Sequence, residues 1–269
     1  MTVFAQRVAE LTGIAEDRLE RLAGGDLSEV LLVPRGDGPP LVAKGGPNVA
    51  AEAAMLRALA AAGARVPAVE GEYDTILLID HILNDGLMSP NAWADVGVAV
   101  ARLHAHRGEA YGWPVDYALG TVALDNREGQ DWLRFWGEQR LIAASSLLDR
   151  PWRVRVEGLV RRLGNFLPPD PPPALLHGDL WAGNILVDSG RLAAFVDPAC
   201  YHGHAEVDLA MLCLFSGPPE AYWDAYGPRD EGWEDRLPVY QLFPALVHLR
   251  LFGATYAPMV DRLLEAAGV

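Results

Sequence analysis

Apolar residues fall into short runs over the first third of the 269-residue chain and into helical spacings after it. Residues 3 to 11 space their apolar positions for an amphipathic helix. Glu29 to Pro34 and Leu41 to Gly45 are apolar runs joined by Arg35-Gly36-Asp37-Gly38-Pro39-Pro40, whose turn chemistry predicts a β-hairpin. Asn48 to Ala62 is alanine-rich and free of internal proline and glycine, which predicts a helix capped by Asn48 and stopped at Gly63. Val69 to Tyr73 and Thr75 to Ile79 predict paired strands, the second running into Asp80-His81-Ile82. From Trp93 onward the spacing turns helical: Trp93 to His106, Asp131 to Leu148, Arg153 to Leu163, Glu206 to Phe215, Pro219 to Tyr226 and Leu237 to Tyr256. The fold class expected is α+β, with a small β-rich lobe over residues 1–82 and a larger helical lobe over 83–269. Pro168 to Pro173 reads as a stiff extended connector into the segment that starts at Leu175.

That segment, Leu175 to Asp197, LLHGDLWAGNILVDSGRLAAFVD, interrupts the helices and carries the chemistry. Ile185 to Val187 and Leu192 to Val196 are apolar runs around the turn signal Asp188-Ser189-Gly190, so a second hairpin is expected. Its closure brings Asn184 beside Asp197, although they stand thirteen positions apart (197 − 184). One amide oxygen and one carboxylate suffice for Mg²⁺, which keeps several waters and completes its shell on substrate phosphates. Asp179 precedes Asn184 by five (184 − 179), the D-x-x-x-x-N spacing in which a kinase aspartate orients the attacking hydroxyl and accepts its proton. Any one of these residues alone reads as a turn or helix-cap aspartate. The three together with the hairpin point to a phosphotransferase, with Asp179 as base and Asn184 and Asp197 as metal ligands.

The first lobe supplies candidates for a nucleotide. Gly24-Gly25 at the entry to a strand allows backbone N–H groups to approach phosphates, and Ser28 adds a hydroxyl, although Asp26 is an awkward neighbour and a plain turn accounts for the glycines equally well. Lys44 ends a Leu41-Val42-Ala43-Lys44 strand like the kinase V-A-I-K pattern, and Glu52 on the next helix is placed to pair with it. Lys44 is the only lysine among the 22 Lys+Arg, which argues for a point charge on the α- and β-phosphates rather than a solvated surface residue. Asp80, His81 and Ile82 fall where a hinge between lobes offers backbone groups to adenine.

Composition narrows the partners. With 36 Asp+Glu the net charge is −14 and the pI about 4.8, which excludes a nucleic-acid backbone as ligand. A nucleotide remains compatible where a few cations focus positive charge. No apolar run approaches the ~20 residues of a membrane span, and the first residues read as an amphipathic helix rather than a secretion signal, so a cytoplasmic protein is expected. Two cysteines, Cys200 and Cys213, have neither the count nor the spacing of a metal site or a disulfide framework.

The chain resembles the fructosamine kinase (ketosamine-3-kinase) family, within the aminoglycoside- and choline-kinase-like phosphotransferases of protein-kinase-like fold. The resemblance runs through Gly24-Gly25, Lys44, Glu52, Tyr111-Gly112-Trp113, Asn126, Asp131-Trp132, Arg140-Leu141, His177-Gly178-Asp179-Leu180-Trp181 with Asn184, Asp197-Pro198-Ala199, Tyr201, Gly203-His204, Glu206, Asp208-Leu209-Ala210, His248 and Phe252-Gly253. It implies ATP and Mg²⁺, a two-lobed fold, and transfer of the γ-phosphoryl to O-3 of a fructosamine or ribulosamine, a small molecule or a glycated protein. The 3-phosphate then promotes elimination of the free amine. It also implies a bracing role for His177, and an orienting role that asks for no strongly raised pKa at Asp179. Trp181 offers a face to the sugar or the amine arm, with core packing as its competing explanation. Tyr201, His204 and Glu206 either touch substrate or lock the turn after the hairpin. Asp208 is a ligand of loop amides or a plain first-turn carboxylate. The chain departs from the family at Ala123-Leu124, where many relatives carry Pro-Gln, and this bears on substrate preference. A monomer or weak dimer is expected. Two alternatives stand beside this reading: a kinase of another small alcohol, aminoglycoside- or choline-like, and a non-catalytic nucleotide-binding protein, which predicts loss of Lys44, Asp179, Asn184 or Asp197.

Overall fold

Strands β1 (Glu20–Arg21), β2 (Val30–Val33), β3 (Leu41–Gly45), β4 (Val69–Tyr73) and β5 (Ile76–Asp80) form an antiparallel sheet in the order β1-β2-β3-β5-β4 in the computed structural model, which describes residues 2–22 and 29–269. Helix α1 (Val3–Thr12) lies on one face and α2 (Val49–Ala61) on the other. Leu41, Ala43, Ile76 and Leu78 pack with Ala5 and Val8 of α1, whereas Val42, Leu77 and Ile79 pack with Val49, Ala53 and Leu56 of α2. Two-sided cover explains why β3 and β5 are continuous apolar runs instead of alternating ones. Side chains change face at every residue, so Lys44 follows Val42 toward α2.

The helices begin and end largely for the reasons read from the sequence. Thr2 accepts from the Ala5 N–H, and Gly63, at φ 84°, ends α2 in the left-handed region. Asn48 holds the cap position of α2, but its side chain makes no capping hydrogen bond. It lines the cleft beside Lys44 instead.

The second lobe is helical. It opens with α3 (Pro90–Ala105), which starts at Pro90, three residues before the expected Trp93, because Ser89 caps it through the Ala92 N–H and Pro90 suits the first turn. Strands β6 (Tyr117–Leu119) and β7 (Val122–Leu124) form a small hairpin that no sequence signal announced. The expected helix at 131–148 is a helical run over 132–145 whose middle, Phe135–Ile142, has wide π-type turns. Its Arg140 is fully buried, with NH1 on the Asp125 carbonyl at 2.8 Å and NH2 on Asn126 Oδ1 at 2.7 Å. The last long helix runs Trp233–Phe252, four residues earlier than expected at both ends. Gly253, at φ 80°, stops it, and a separate helix, Ala257–Ala266, closes the chain. Val260, Leu263 and Leu264 had the helical spacing to announce that element. These helices pack around Trp132, Trp136, Tyr240 and Phe243 in the largest apolar core.

Between the helices lie β8 (Ala174–Leu175), the hairpin β9 (Ile185–Asp188) and β10 (Arg191–Phe195), and β11 (His202–Gly203), which pairs with β8. Among the described residues no helix is long and apolar enough to cross a membrane.

Candidate active site

The β9–β10 hairpin turns through Ser189 and Gly190, at φ 51° and 72°, the positive pair that a tight two-residue turn requires. Phe195 pairs with Ile185 at its open end, and the Val196 N–H donates to the Asn184 carbonyl at 3.0 Å. Asn184 and Asp197 therefore flank one corner. Asp197 adopts φ 55°, a left-handed conformation that aspartate tolerates and that concentrates at functional sites.

Asp179 reaches the same corner from a loop tied down on both sides. The Asp208 carboxylate, fully buried, accepts from the His177 N–H at 2.8 Å, from the Gly178 N–H at 2.9 Å, and stands 3.1 Å from His104 Nε2. A Cβ on Gly178 would come within 2.0 Å of the Ala199 carbonyl oxygen, so only glycine passes there. His177 Nε2 lies 3.0 Å from the Val196 carbonyl, which only accepts, so Nε2 carries the proton and Nδ1 takes the Asp179 N–H at 3.3 Å. His177 braces the loop, and burial keeps it neutral by lowering its pKa. Asn184 Nδ2 donates to both the Asp179 carbonyl and its Oδ2, at 2.9 and 2.8 Å. Burial first, and then the charges of Asp197 and Asp208, push the Asp179 carboxyl up to about 7 against the Asn184 bond. This shift exceeds what the orienting role alone requires.

Lys44 Nζ bonds both Glu52 and Asp197, which links β3, α2 and the hairpin. Burial disfavours the ammonium, but the two carboxylates outweigh it and raise its pKa. Of the hinge candidates, the Asp80 N–H is spent on the Ala68 carbonyl and the His81 N–H on the Pro40 carbonyl, while the Ile82 carbonyl takes Asn84 Nδ2. Gly24, Gly25 and Ser28 lie outside the described residues.

Lys44, Glu52, Asp179, Asn184 and Asp197 open on a cleft of about 510 Å³, a size suited to a small ligand. Asp80, His81 and Ile82 do not line it. Lys44, Asn48 and Glu52 line one wall, Tyr117 to Gly120 of the β6–β7 hairpin another, and Asp179, Asn184 and Asp197 the floor. Trp181 lies at the mouth, 39 % exposed, facing the cleft rather than the core. Its indole covers Gly183 so closely that a Cβ there would approach Trp181 Cη2 to 2.3 Å. The far wall is apolar and aromatic: Phe215, Val247, His248, Leu251, Phe252 and Tyr256. His248 stacks on Phe215 at 4.6 Å between centroids.

The sequence model of the fructosamine kinase family matches residues 8–267. The chain belongs to the fructosamine kinase family. A probable ketoamine kinase of Thermus thermophilus is 36% identical over 258 residues, 91% of this chain and 92% of that protein. A probable ketoamine kinase of Enterococcus faecium is 39% identical over 181 residues, 64% of this chain and 65% of that protein, so this match spans slightly under two thirds of the relative's length. A Thermobifida fusca YX-ER1 crystal structure, provisionally named a fructosamine-3-kinase, superposes with TM-score 0.86 at 33% identity, covering 98% of each chain. An amicoumacin kinase solved with AMP-PNP and Ca²⁺ shares the fold alone, at TM-score 0.65 and 16% identity over 97% of this chain and 92% of that one. The expected family and the α+β, protein-kinase-like fold class are therefore found, and the chain is a kinase.

Three residues offered as substrate contacts within this kinase family stand elsewhere. Tyr201 is 1 % exposed, with the Arg140 guanidinium 4.3 Å above its ring and Phe135 at 5.6 Å. Glu206 is buried and held by Arg236 through Nε at 2.7 Å and NH2 at 2.5 Å. His204 is buried with Nδ1 2.8 Å from the Tyr240 hydroxyl, which itself accepts from Trp132 Nε1 at 3.1 Å. None of the three lines the cleft; they lock the turn after the hairpin. His204, Glu206 and Asp230 bring ligand atoms within 4.8 Å of one another, but the Arg236 guanidinium on Glu206 fills the place of a cation.

Burial, and then Arg236, His104 and Arg107, push the His204 pKa down from 6.5 to about 3. The unfolded chain takes up a proton near 6.5 that the folded one refuses. Stability is thus expected to fall as the pH drops through the window from 6.5 towards 3, by about 1 kcal/mol per pH unit from this residue. Urea midpoints between pH 7 and 4 for the parent and His204→Gln check this: the variant has the shallower slope.

Proposed function

We propose that the chain transfers the γ-phosphoryl group of ATP to a hydroxyl of a sugar–amine adduct, O-3 of a fructosamine or ribulosamine, on a small molecule or a glycated protein. The observation that carries this reading is the meeting of Asp179, Asn184, Asp197 and Lys44 in one cleft whose outer end is aromatic. Ketoamine-kinase relatives support the acceptor class.

Asp179 aligns the acceptor hydroxyl and accepts its proton as the γ-phosphoryl transfers. Asn184 and Asp197 would hold Mg²⁺. Their donor set fits it: the Asn184 amide N–H₂ is committed to Asp179, which leaves its oxygen for a hard cation, and the Asp197 side chain is 45% exposed on the cleft side of its Lys44 bond. When bound, the ion neutralises charge developing on the phosphoryl oxygens. Lys44, held by Glu52, would bind the α- and β-phosphates, and to Gly24, Gly25 and Ser28 we assign a phosphate-binding role and to the backbone of Asp80 to Ile82 an adenine-binding one. We divide the chain into an ATP-binding lobe, 1–82, and an acceptor lobe, 83–269, and place the protein in the cytoplasm as a monomer or weak dimer.

The test is ADP release with Mg²⁺, ATP and, in turn, a fructosyl amine, a ribulosyl amine, an aminoglycoside and choline. Turnover confined to the sugar–amines is the expected result. Turnover only with the aminoglycoside or choline overturns the acceptor, and so does silence with all four.

A further inference from the structure

Tyr117 opens β6 opposite Leu124 of β7. It packs against the buried cluster formed by Met55, Leu59 and Ala62 with Leu103 of α3, Leu175 and Cys200. The small hairpin is thereby wedged between the helix that carries Glu52 and the stretch just beyond Asp197. Tyr117 also lines the cleft beside Lys44, Glu52, Asp179, Asn184 and Asp197. A phenol held by apolar contacts along its ring turns its polar end to the wet side.

On that side of the cleft few side-chain donors among the described residues stand free, Asn48 among them. Three carboxyl groups, those of Glu52, Asp179 and Asp197, meet there and serve chiefly as acceptors. The Lys44 ammonium is taken by Glu52 and Asp197, and both Asn184 amide bonds go to Asp179. An alcohol that gives its proton to Asp179 still carries neighbouring oxygens, and these need donors. On the hairpin wall the side chains of Ala118 and Leu119 carry none, and Leu124, the cross-strand neighbour, is apolar and 3 % exposed. The Tyr117 hydroxyl is the side-chain donor that this wall supplies. Burial, followed by the charges of Glu52, Asp197 and Asp179, raises its pKa far above the ordinary value, so it stays protonated.

We propose that Tyr117 determines acceptor specificity: its hydroxyl donates a hydrogen bond to the carbonyl or hydroxyl oxygen next to the attacked hydroxyl of the sugar–amine. The assignment rests on the sugar–amine being the acceptor. It explains how a hairpin carrying Ala123-Leu124 still presents a polar group to the acceptor.

Tyr117→Phe keeps the ring and its packing and removes only the oxygen. Steady-state ADP release is measured with the acceptor and ATP varied separately, alongside thermal melting of both proteins. The expected result is an acceptor KM raised about tenfold, one lost hydrogen bond, with the ATP KM and melting temperature unchanged. An unchanged acceptor KM overturns the proposal, and so does an ATP KM that rises in step with it, since that marks a role in holding the lobes. Wild type inactive on every sugar–amine overturns the acceptor reading first and this assignment with it. Activity in wild type with no acceptor effect in the variant removes only Tyr117.

Discussion

Asp179→Asn is expected to lower kcat by about 10²–10⁴-fold, the usual contribution of a positioned base, without lowering the melting temperature. Asn184 Nδ2 donates to Asp179 Oδ2 at 2.8 Å, a bond that the oxygen of an asparagine at 179 also accepts. The substitution further removes a carboxyl that burial already holds near 7. Loss of activity at equal or higher stability is the signature of a group kept for chemistry at the expense of the fold. The measurement is single-turnover phosphoryl transfer beside a calorimetric scan. A variant with wild-type kcat removes Asp179 from the reaction, and one that melts well below wild type shows that the loop needs the charge.

Lys44→Met should show the opposite balance. Activity falls by about 10²–10³-fold through loss of the charge on the phosphates, and stability falls as well, by about 3 kcal/mol, because a buried partner is left without its counter-charge. Glu52 is 8 % exposed, and in the parent burial already raises its pKa against the pull of Lys44. Without the lysine nothing opposes that rise. A carboxyl whose folded pKa exceeds the unfolded 4.5 contributes stability below that value and loses it as the pH climbs through the folded one. The deficit of Lys44→Met therefore grows in urea titrations as the pH rises above 4.5. Adding Glu52→Gln shrinks the deficit and flattens its pH dependence. A deficit independent of pH in the single variant shows that Glu52 remains charged and finds another partner.

The parts of this molecule legible in the sequence are those whose chemistry is local. A turn signal between two apolar runs placed Asn184 beside Asp197, and a five-residue spacing placed Asp179 near both. Lys44 and Glu52 were legible because strand and helix succeed one another with fixed periods. The aromatic lining of the cleft was not, since Tyr117 on the hairpin wall and Phe215, His248 and Tyr256 on the far wall sit on elements that meet only through tertiary packing. Tyr201, His204 and Glu206 show the reverse error. They are close in sequence to the hairpin, yet Arg140, Tyr240 and Arg236 arrive from distant helices and turn them inward. Asn48 had the chemistry of a cap and was drawn to the cleft instead.

Reducing sugars add to accessible ε-amines, and the chain's only such group, on Lys44, is 9 % exposed and locked between two carboxylates that keep it protonated. A protonated amine has no lone pair with which to attack an aldose. Every other residue in the Lys+Arg count carries a guanidinium instead. A chain proposed to act on sugar–amine adducts thus presents almost no lysine surface on which such adducts can form.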